Sequence, residues 1–313
     1  MTMAHRSIGQ DCLAFSGQDQ KSSSLDDISA LIDWQAIAAL LGSLYAAPKG
    51  EAAWPPLAMF RAMLLAVWYD LSDVKLAEAL DDRTSFRRFC GFSAHEPTPE
   101  RTAFVRFRRE LASHSLDQAL FEAVTGQLKS RAIRIKTGTI VDATIIASQA
   151  ERDNEARWVK HKGRKAVHGF KAHVGADATT ALVEQIAIMP ANINDGRAGP
   201  DAIPNDLGEV FADSAYRGNH FRDAVRSKGG TLRVAATSMW GRDEQETLAQ
   251  LKAWNDDVHR TRGRIEKIFG TWKRSYGLRR MRWRGLAKTA IQIHVTAIAY
   301  NLRRTLNILA VAA

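Results

Sequence analysis

Apolar residues recur at helical spacing from Leu25 to about Ala132 and then give way to short runs rich in β-branched residues. The chain therefore reads as a helical segment followed by an α/β segment. Ile28, Leu31, Ile32 and Ile37 trace one helical face, which Asp26 or Asp27 can cap. Pro55-Pro56 opens the next helix, with Leu57, Phe60, Met63, Leu64 and Val67 toward a core. Ser72 caps a third helix, and Phe86, Phe89 and Phe92 mark a fourth segment. Pro97 and Pro99 then precede a basic helix carrying Arg101, Arg106, Arg108 and Arg109.

Near Lys136 the spacing becomes strand-like, which places a boundary at about 130–136. Thr139-Ile140-Val141 reads as a buried strand ending at Asp142. A polar stretch over 149–164 leads to a second strand, Gly169-Phe170-Lys171-Ala172-His173-Val174. A tight turn over 177–180 precedes a third strand over 182–189. A partly helical link over 200–207 joins a fourth strand, Val210-Phe211-Ala212, which ends at Asp213. A helix near 219–227, a fifth strand over 231–234 and a long helix from about Asp257 complete the pattern. The order β-β-β-α-β-α-β-α predicts an α/β fold with a mixed five-stranded sheet flanked by helices, behind an all-helical domain. The expected organisation is a flexible arm over 1–24, a helical domain over 25–132, and an α/β domain with basic C-terminal helices over 133–313.

Charge narrows the reading. The net charge is +10, and residues 251–313 hold 14 Lys or Arg against 3 Asp or Glu, so the basic excess sits at one end. Such a patch attracts polyanions, nucleic acid or an acidic membrane surface. Two cysteines, Cys12 and Cys90, are too few for a zinc finger or a disulfide framework and fit a reducing compartment, so a cytoplasmic protein is expected. The N-terminal residues lack an apolar signal core. The most apolar stretches, 57–71 and 291–302, contain Arg61 and His294 and do not read as membrane spans.

Candidate chemistry follows from the carboxylates. A charge among buried strand residues is costly unless it is paired or binds a cation. Two carboxylates ~4 Å apart repel by roughly 4 kcal/mol at an effective dielectric of ~20, and a divalent metal between Asp142 and Asp213 would remove that cost. On the long helix, at 100° per residue, His259, Arg262, Glu266 and Lys273 share one polar edge within ~60°. Ile265, Ile268, Phe269 and Trp272 form the adjoining apolar stripe. Asp142, Asp213 and Glu266 are then the oxygen donors of a two-metal phosphodiester site for Mg²⁺, with Mn²⁺ as a substitute, one ion activating the attacking oxygen and the other stabilising the leaving one. Arg262 and Lys273 would hold DNA phosphates on either side. The bland alternative is two strand-end aspartates capping the helices that follow, plus an Arg262/Glu266 surface ion pair.

These residues resemble a family. From about Trp54 to Arg304 the chain is similar to bacterial insertion-sequence transposases of the DDE class, of the insertion-sequence-five type. The family signature of Tyr, two residues, Arg, three residues, Glu, six residues, Lys is matched by His259, Arg262, Glu266 and Lys273, with only the tyrosine replaced. Thr139-Ile140-Val141-Asp142-Ala143-Thr144, Gly169-Phe170-Lys171-Ala172-His173, Ala212-Asp213-Ser214-Ala215-Tyr216-Arg217-Gly218 and Arg282-Trp283-Arg284-Gly285-Leu286-Ala287-Lys288 also match. So do Met59-Phe60-Arg61, Leu71-Ser72-Asp73 and Ser85-Phe86-Arg87-Arg88-Phe89 in the helical domain. The resemblance implies a ribonuclease H-like core and a transposase that binds the terminal inverted repeats of its element. It implies strand cleavage there, then attack of the freed 3′-hydroxyl on target DNA. Asp142, Asp213 and Glu266 become the expected catalytic and metal-binding residues. His259, Arg262, Lys273, Lys171 and Arg217 become expected DNA contacts, and the basic helix adds Arg106 and Arg109. A homodimer is expected, because two element ends must be joined in concert.

Other features weigh less. His161, His168 and His173 fit no tight zinc spacing. Trp158, Lys160, Lys162, Arg164 and Lys165 form a basic, aromatic-bearing loop able to grip DNA or simply to be solvated. The competing functional readings are a catalytically inactive DNA-binding regulator or transposase remnant, and a stand-alone nuclease.

Overall fold

The computed structural model describes Arg6, residues 8–9, 23–44, 52–132, 136–160, 163, 165–241 and 243–312. The arm expected over 1–24 lies almost entirely outside them, as do His161, Lys162 and Arg164. The chain divides into two compact units: residues 1–130 with 275–277 and 290–313, and residues 131–274 with 278–289.

The first unit is helical. Helix α1 (Ser24–Leu31) is capped by Ser23, not by an aspartate: the Ser23 hydroxyl accepts from the Asp26 amide, and Asp26 returns a bond to the Ser23 backbone. The apolar run expected as one helix is broken at Ile32, and Asp33 caps a second helix, α2 (Trp34–Leu41). Then follow α3 (Pro56–Trp68), opened by proline as its sequence requires, and α4 (Asp73–Asp82), capped by Ser72. Helix α5 (Thr84–Cys90) stops at Gly91, whose φ of 89° suits glycine and leaves Phe92 outside the helix. Helices α6 (Arg101–Ser113) and α7 (Leu116–Ala132) complete the N-terminal series. Helix α11 (Leu286–Ala312) contributes everything from residue 290 onward to this same unit. There the Trp68 indole donates to the Ala299 carbonyl, His294 Nδ1 meets Asp117 Oδ2 at 2.7 Å, and Asn301 donates to Thr125.

The second unit is built on one sheet. Strands β1 (Gly138–Ala147), β3 (Val167–Asp177) and β4 (Val183–Pro190) pair antiparallel in the order β4-β3-β1. On the far side β1 pairs in parallel with β5 (Glu209–Ala212), and β5 in parallel with β6 (Thr231–Val234). Three antiparallel strands followed by two parallel ones form a ribonuclease H-like sheet. A sixth short strand, β2 (Arg157–Val159), pairs with the start of β3 within the stretch expected to be a polar connection. Its residues are largely exposed, so no buried alternation marks it in the sequence.

Each face of the sheet has its own cover. Val141, Val210 and Ala212 share one core with Tyr216 and with Phe221 and Val225 of α9 (Asn219–Ser227), beside Ala202, Ile203 and Leu207. The alternation of a strand sends Ile140, Asp142 and Phe211 to the opposite face. There α10 (Glu244–Arg274) packs on β1 and β5, burying Ile265, Ile268 and Trp272. This helix begins thirteen residues before the expected Asp257, because its exposed first turns carry no apolar stripe. The link before β5 holds a short helix, α8 (Asp195–Ala198), and a 3₁₀ turn, Gly199–Ala202.

Candidate active site

Two of the candidate carboxylates are placed by strand register. Strands β1 and β5 pair through Ile140 and Phe211, and Asp142 and Asp213 each follow two residues later, on the α10 face, at the same level of two neighbouring strands. The structure alters one detail of the expectation. Asp142 is not at a strand end but is the fifth residue of a ten-residue strand, since β3 pairs along the whole length of β1. Only the β5 side of β1 ends near it, and there the sheet opens. Asp213 does follow the end of β5, and its Oδ1 accepts from the Ala215 amide at 2.9 Å, starting the turn Ser214–Tyr216.

Electrostatics ties the two together. Burial pushes the Asp142 carboxyl from its ordinary 3.8 up to about 6. The Arg262 guanidinium and the Ala143 amide oppose that rise, and the nearby charge of Asp213 adds to it. Arg262 Nη2 lies 3.0 Å from Asp142 Oδ2, and only 12% and 17% of the two side chains are exposed. A cation thus already stands against the buried carboxylate, supplied by the protein.

The third carboxylate stands apart. Glu266 is exposed one turn beyond Arg262 and makes no hydrogen bond or ion pair with the described residues. Among the described residues, no group of three His, Cys, Asp or Glu side chains is close enough to hold a metal ion. The donor chemistry nevertheless suits a hard divalent cation, with oxygens only, two of them brought to one level and one neutralised by a guanidinium in the cation's stead. The Arg262/Glu266 surface pair is absent, because Arg262 turns to Asp142.

The remaining candidates are scattered. His259 is exposed on α10 and Lys273 is half-buried there. Arg217 is exposed, and its guanidinium donates to Thr237 Oγ1 and the Ala235 carbonyl. Arg106 and Arg109 lie exposed on α6, whereas Arg108 is buried against Asp73. Lys171 is inside the fold, its ammonium 2.7 Å from both Asp195 Oδ1 and the Ile193 carbonyl, so its charge is committed to Asp195 and not offered to solvent. Of the histidines weighed for zinc, His168 Nδ1 meets Ser148 Oγ and His173 Nδ1 meets the Tyr216 hydroxyl.

Residues 134–302 match the family model described as "Transposase DDE domain". The chain belongs to the DDE transposases. A second model, "Transposase domain (DUF772)", matches residues 14–110 of this transposase. Among solved structures, a cryo-EM structure of a piggyBac transposase synaptic complex with hairpin DNA is similar at 10% identity and a TM-score of 0.41, covering 90% of this chain and 76% of that one. The transposase is thus of an insertion-sequence type, an enzyme of metal-dependent DNA cleavage and transfer. No helix of its described residues is long and apolar enough to cross a membrane.

Sequence reasoning missed Asp195 and the role of Tyr216. Asp195 stands in an irregular link with no periodicity around it. Tyr216 belongs to a motif of apparent loop residues, and only the turn that follows β5 carries it into the core.

Proposed function

We propose that this transposase binds the terminal inverted repeats of an insertion sequence, cleaves DNA strands there and transfers the 3′ ends to target DNA, using two Mg²⁺ ions, or Mn²⁺, held by Asp142, Asp213 and Glu266. The observation that carries this reading is the equal register of Asp142 and Asp213 beneath α10, with Arg262 neutralising the more buried of them. Bound ions would supply charge neutralisation and Lewis acidity at phosphorus.

The protein's own part follows from the geometry. Arg262 holds Asp142 until a DNA phosphate competes for the guanidinium, a better bidentate partner than a single carboxylate oxygen. Release of Arg262 frees Asp142, and Glu266, one turn along the same helix, then has only to close on the two strand carboxylates. Lys273 lies about 10 Å further along the helix axis than Glu266 and would hold the next phosphates, with His259 on the other side of Arg262. Arg217 serves the DNA from the turn after Asp213. Lys171, its charge held by Asp195 inside the fold, is not among these contacts.

The helical domain, 25–132, is proposed to bind the element ends, with the exposed Arg106 and Arg109 facing DNA. A homodimer in the DNA complex follows from the need to join two ends together.

The deciding experiment is strand cleavage and joining on DNA bearing the element's ends, with Mg²⁺ and then with EDTA, for the natural protein and Glu266→Ala. Metal-dependent products lost in the variant, with DNA binding kept, support the reading. A folded, DNA-binding natural protein that yields no products would make it a catalytically inactive regulator or remnant, and cleavage without joining would make it a nuclease.

A further inference from the structure

We propose that Tyr216 and His173 are positioning residues for Asp213, forming a strut beneath the sheet that sets the spacing of the two strand carboxylates. The proposal rests on the reading of Asp142 and Asp213 as metal ligands.

The need for a strut arises from the backbone. Pairing of β5 with β1 ends at Phe211, so the backbone at Asp213 has no ladder partner on the β1 side. Asp213 is held locally by its own turn: its Oδ1 accepts from Ala215, and its carbonyl accepts from the Tyr216 amide at 3.1 Å. That turn is fixed to the rest of the unit by the Tyr216 side chain. The ring is fully buried, 5.0 Å from the Phe221 ring, and its hydroxyl lies 3.0 Å from His173 Nδ1.

His173 is on β3, opposite Ala143 of β1. The strut therefore starts at the turn after β5, passes under Val141 of β1 and ends on β3, spanning three strands on the face opposite Asp142. It has one possible place. A Cβ at Gly199 would lie 2.7 Å from the Tyr216 ring and from the Phe221 ring, so the absence of a side chain there is what lets the tyrosine in.

The far end faces a carboxylate, beyond hydrogen-bond distance. His173 Nε2 points to Asp195 at 3.8 Å, and Asp195 is held by Lys171. Nε2 faces the Asp195 carboxylate, which favours the ring proton on that nitrogen and leaves Nδ1 to accept from the Tyr216 hydroxyl. Groups bonded directly to a metal ligand change metal affinity by about 10- to 100-fold when removed, and a strut that acts through the backbone turn belongs at the low end of that range.

The test uses the full chain and Mn²⁺ alone, with free Mn²⁺ followed by electron paramagnetic resonance. Tyr216→Phe keeps the ring and removes the hydroxyl. His173→Leu removes the acceptor, and His173→Asn restores a polar atom near Nδ1. The expected result is Mn²⁺ affinity weakened about tenfold in Tyr216→Phe and His173→Leu and recovered in His173→Asn. In cleavage assays half-saturation should shift to higher Mn²⁺ by the same factor, with the rate at saturating metal little changed. Affinity within twofold of the natural protein in Tyr216→Phe, while Asp213→Asn abolishes binding, overturns the strut. Unchanged binding in Asp213→Asn overturns the site reading itself, and the strut with it.

Discussion

Replacing Arg262 with Gln is expected to make the stability of the folded chain depend on divalent cation. In the natural protein the Asp142 carboxyl stands above its ordinary value, so its contribution to stability is fully present below pH 3.8 and is lost as the pH rises through about 6. That loss, from 3.8 to about 6 at 1.36 kcal/mol per unit, is about 3 kcal/mol, and it is complete above pH 6 because Arg262 keeps the charged form tolerable. Without Arg262 both its charge and its hydrogen bond are gone, and the carboxyl titrates higher. The loss then continues above pH 6, by as much as about 1.4 kcal/mol for each further unit, so the gap between variant and natural protein widens by up to about 2.7 kcal/mol between pH 6 and 8. That is close to the roughly 3 kcal/mol expected when one partner of a buried ion pair is removed. For a unit of this size it corresponds to about 5–10 °C in melting temperature. The assay is a thermal melt from pH 5 to 8 in EDTA, repeated with Mg²⁺ or Mn²⁺. Cation at about 100 times its dissociation constant should return about 2.7 kcal/mol to the variant. Melting curves that stay parallel across the whole pH range, with no response to metal, would refute the idea that Arg262 stands in for a cation at Asp142.

Three further outcomes are expected. Arg108→Ala leaves Asp73 without the guanidinium that it meets at 2.5–2.8 Å, and should destabilise the helical unit by about 3 kcal/mol, read as a lower unfolding midpoint in urea. Arg106→Glu with Arg109→Glu changes only exposed side chains; DNA affinity should fall and the slope of log affinity against log salt should flatten by about 0.9 per lost phosphate contact, with an unchanged melting temperature. Gly199→Ala forces a methyl against Tyr216 and Phe221 and should cost about 1–3 kcal/mol while weakening Mn²⁺ binding; a variant as stable as the natural protein would show that the ring can move aside.

The sheet was legible where burial imposes a rhythm. β5, α9 and β6 were expected within a residue of their ends, since each alternates or repeats apolar positions between clear breaks. The apolar stripe of α10 likewise placed Ile265, Ile268 and Trp272 in the core. Where residues are exposed the rhythm is silent, and so β2 and the first turns of α10 escaped notice. At the candidate site, local spacing put Arg262 beside Glu266, and only the folded sheet brings it to Asp142, 120 positions away in the chain. Lys171 and Asp195 are a second such case: a lysine in a strand motif invites a role at the surface, and the partner that claims it lies in a link with no pattern of its own.

The membership of α11 has a consequence for how the chain is made. The helices of residues 24–132 emerge from the ribosome first, yet the Trp68 indole N–H, Asp117 and Thr125 have hydrogen-bond partners on residues 294–301. The first unit to begin synthesis is therefore the last to be completed. A message interrupted late in the reading frame would release a finished sheet domain and an N-terminal half without its closing helix, a target for proteolysis.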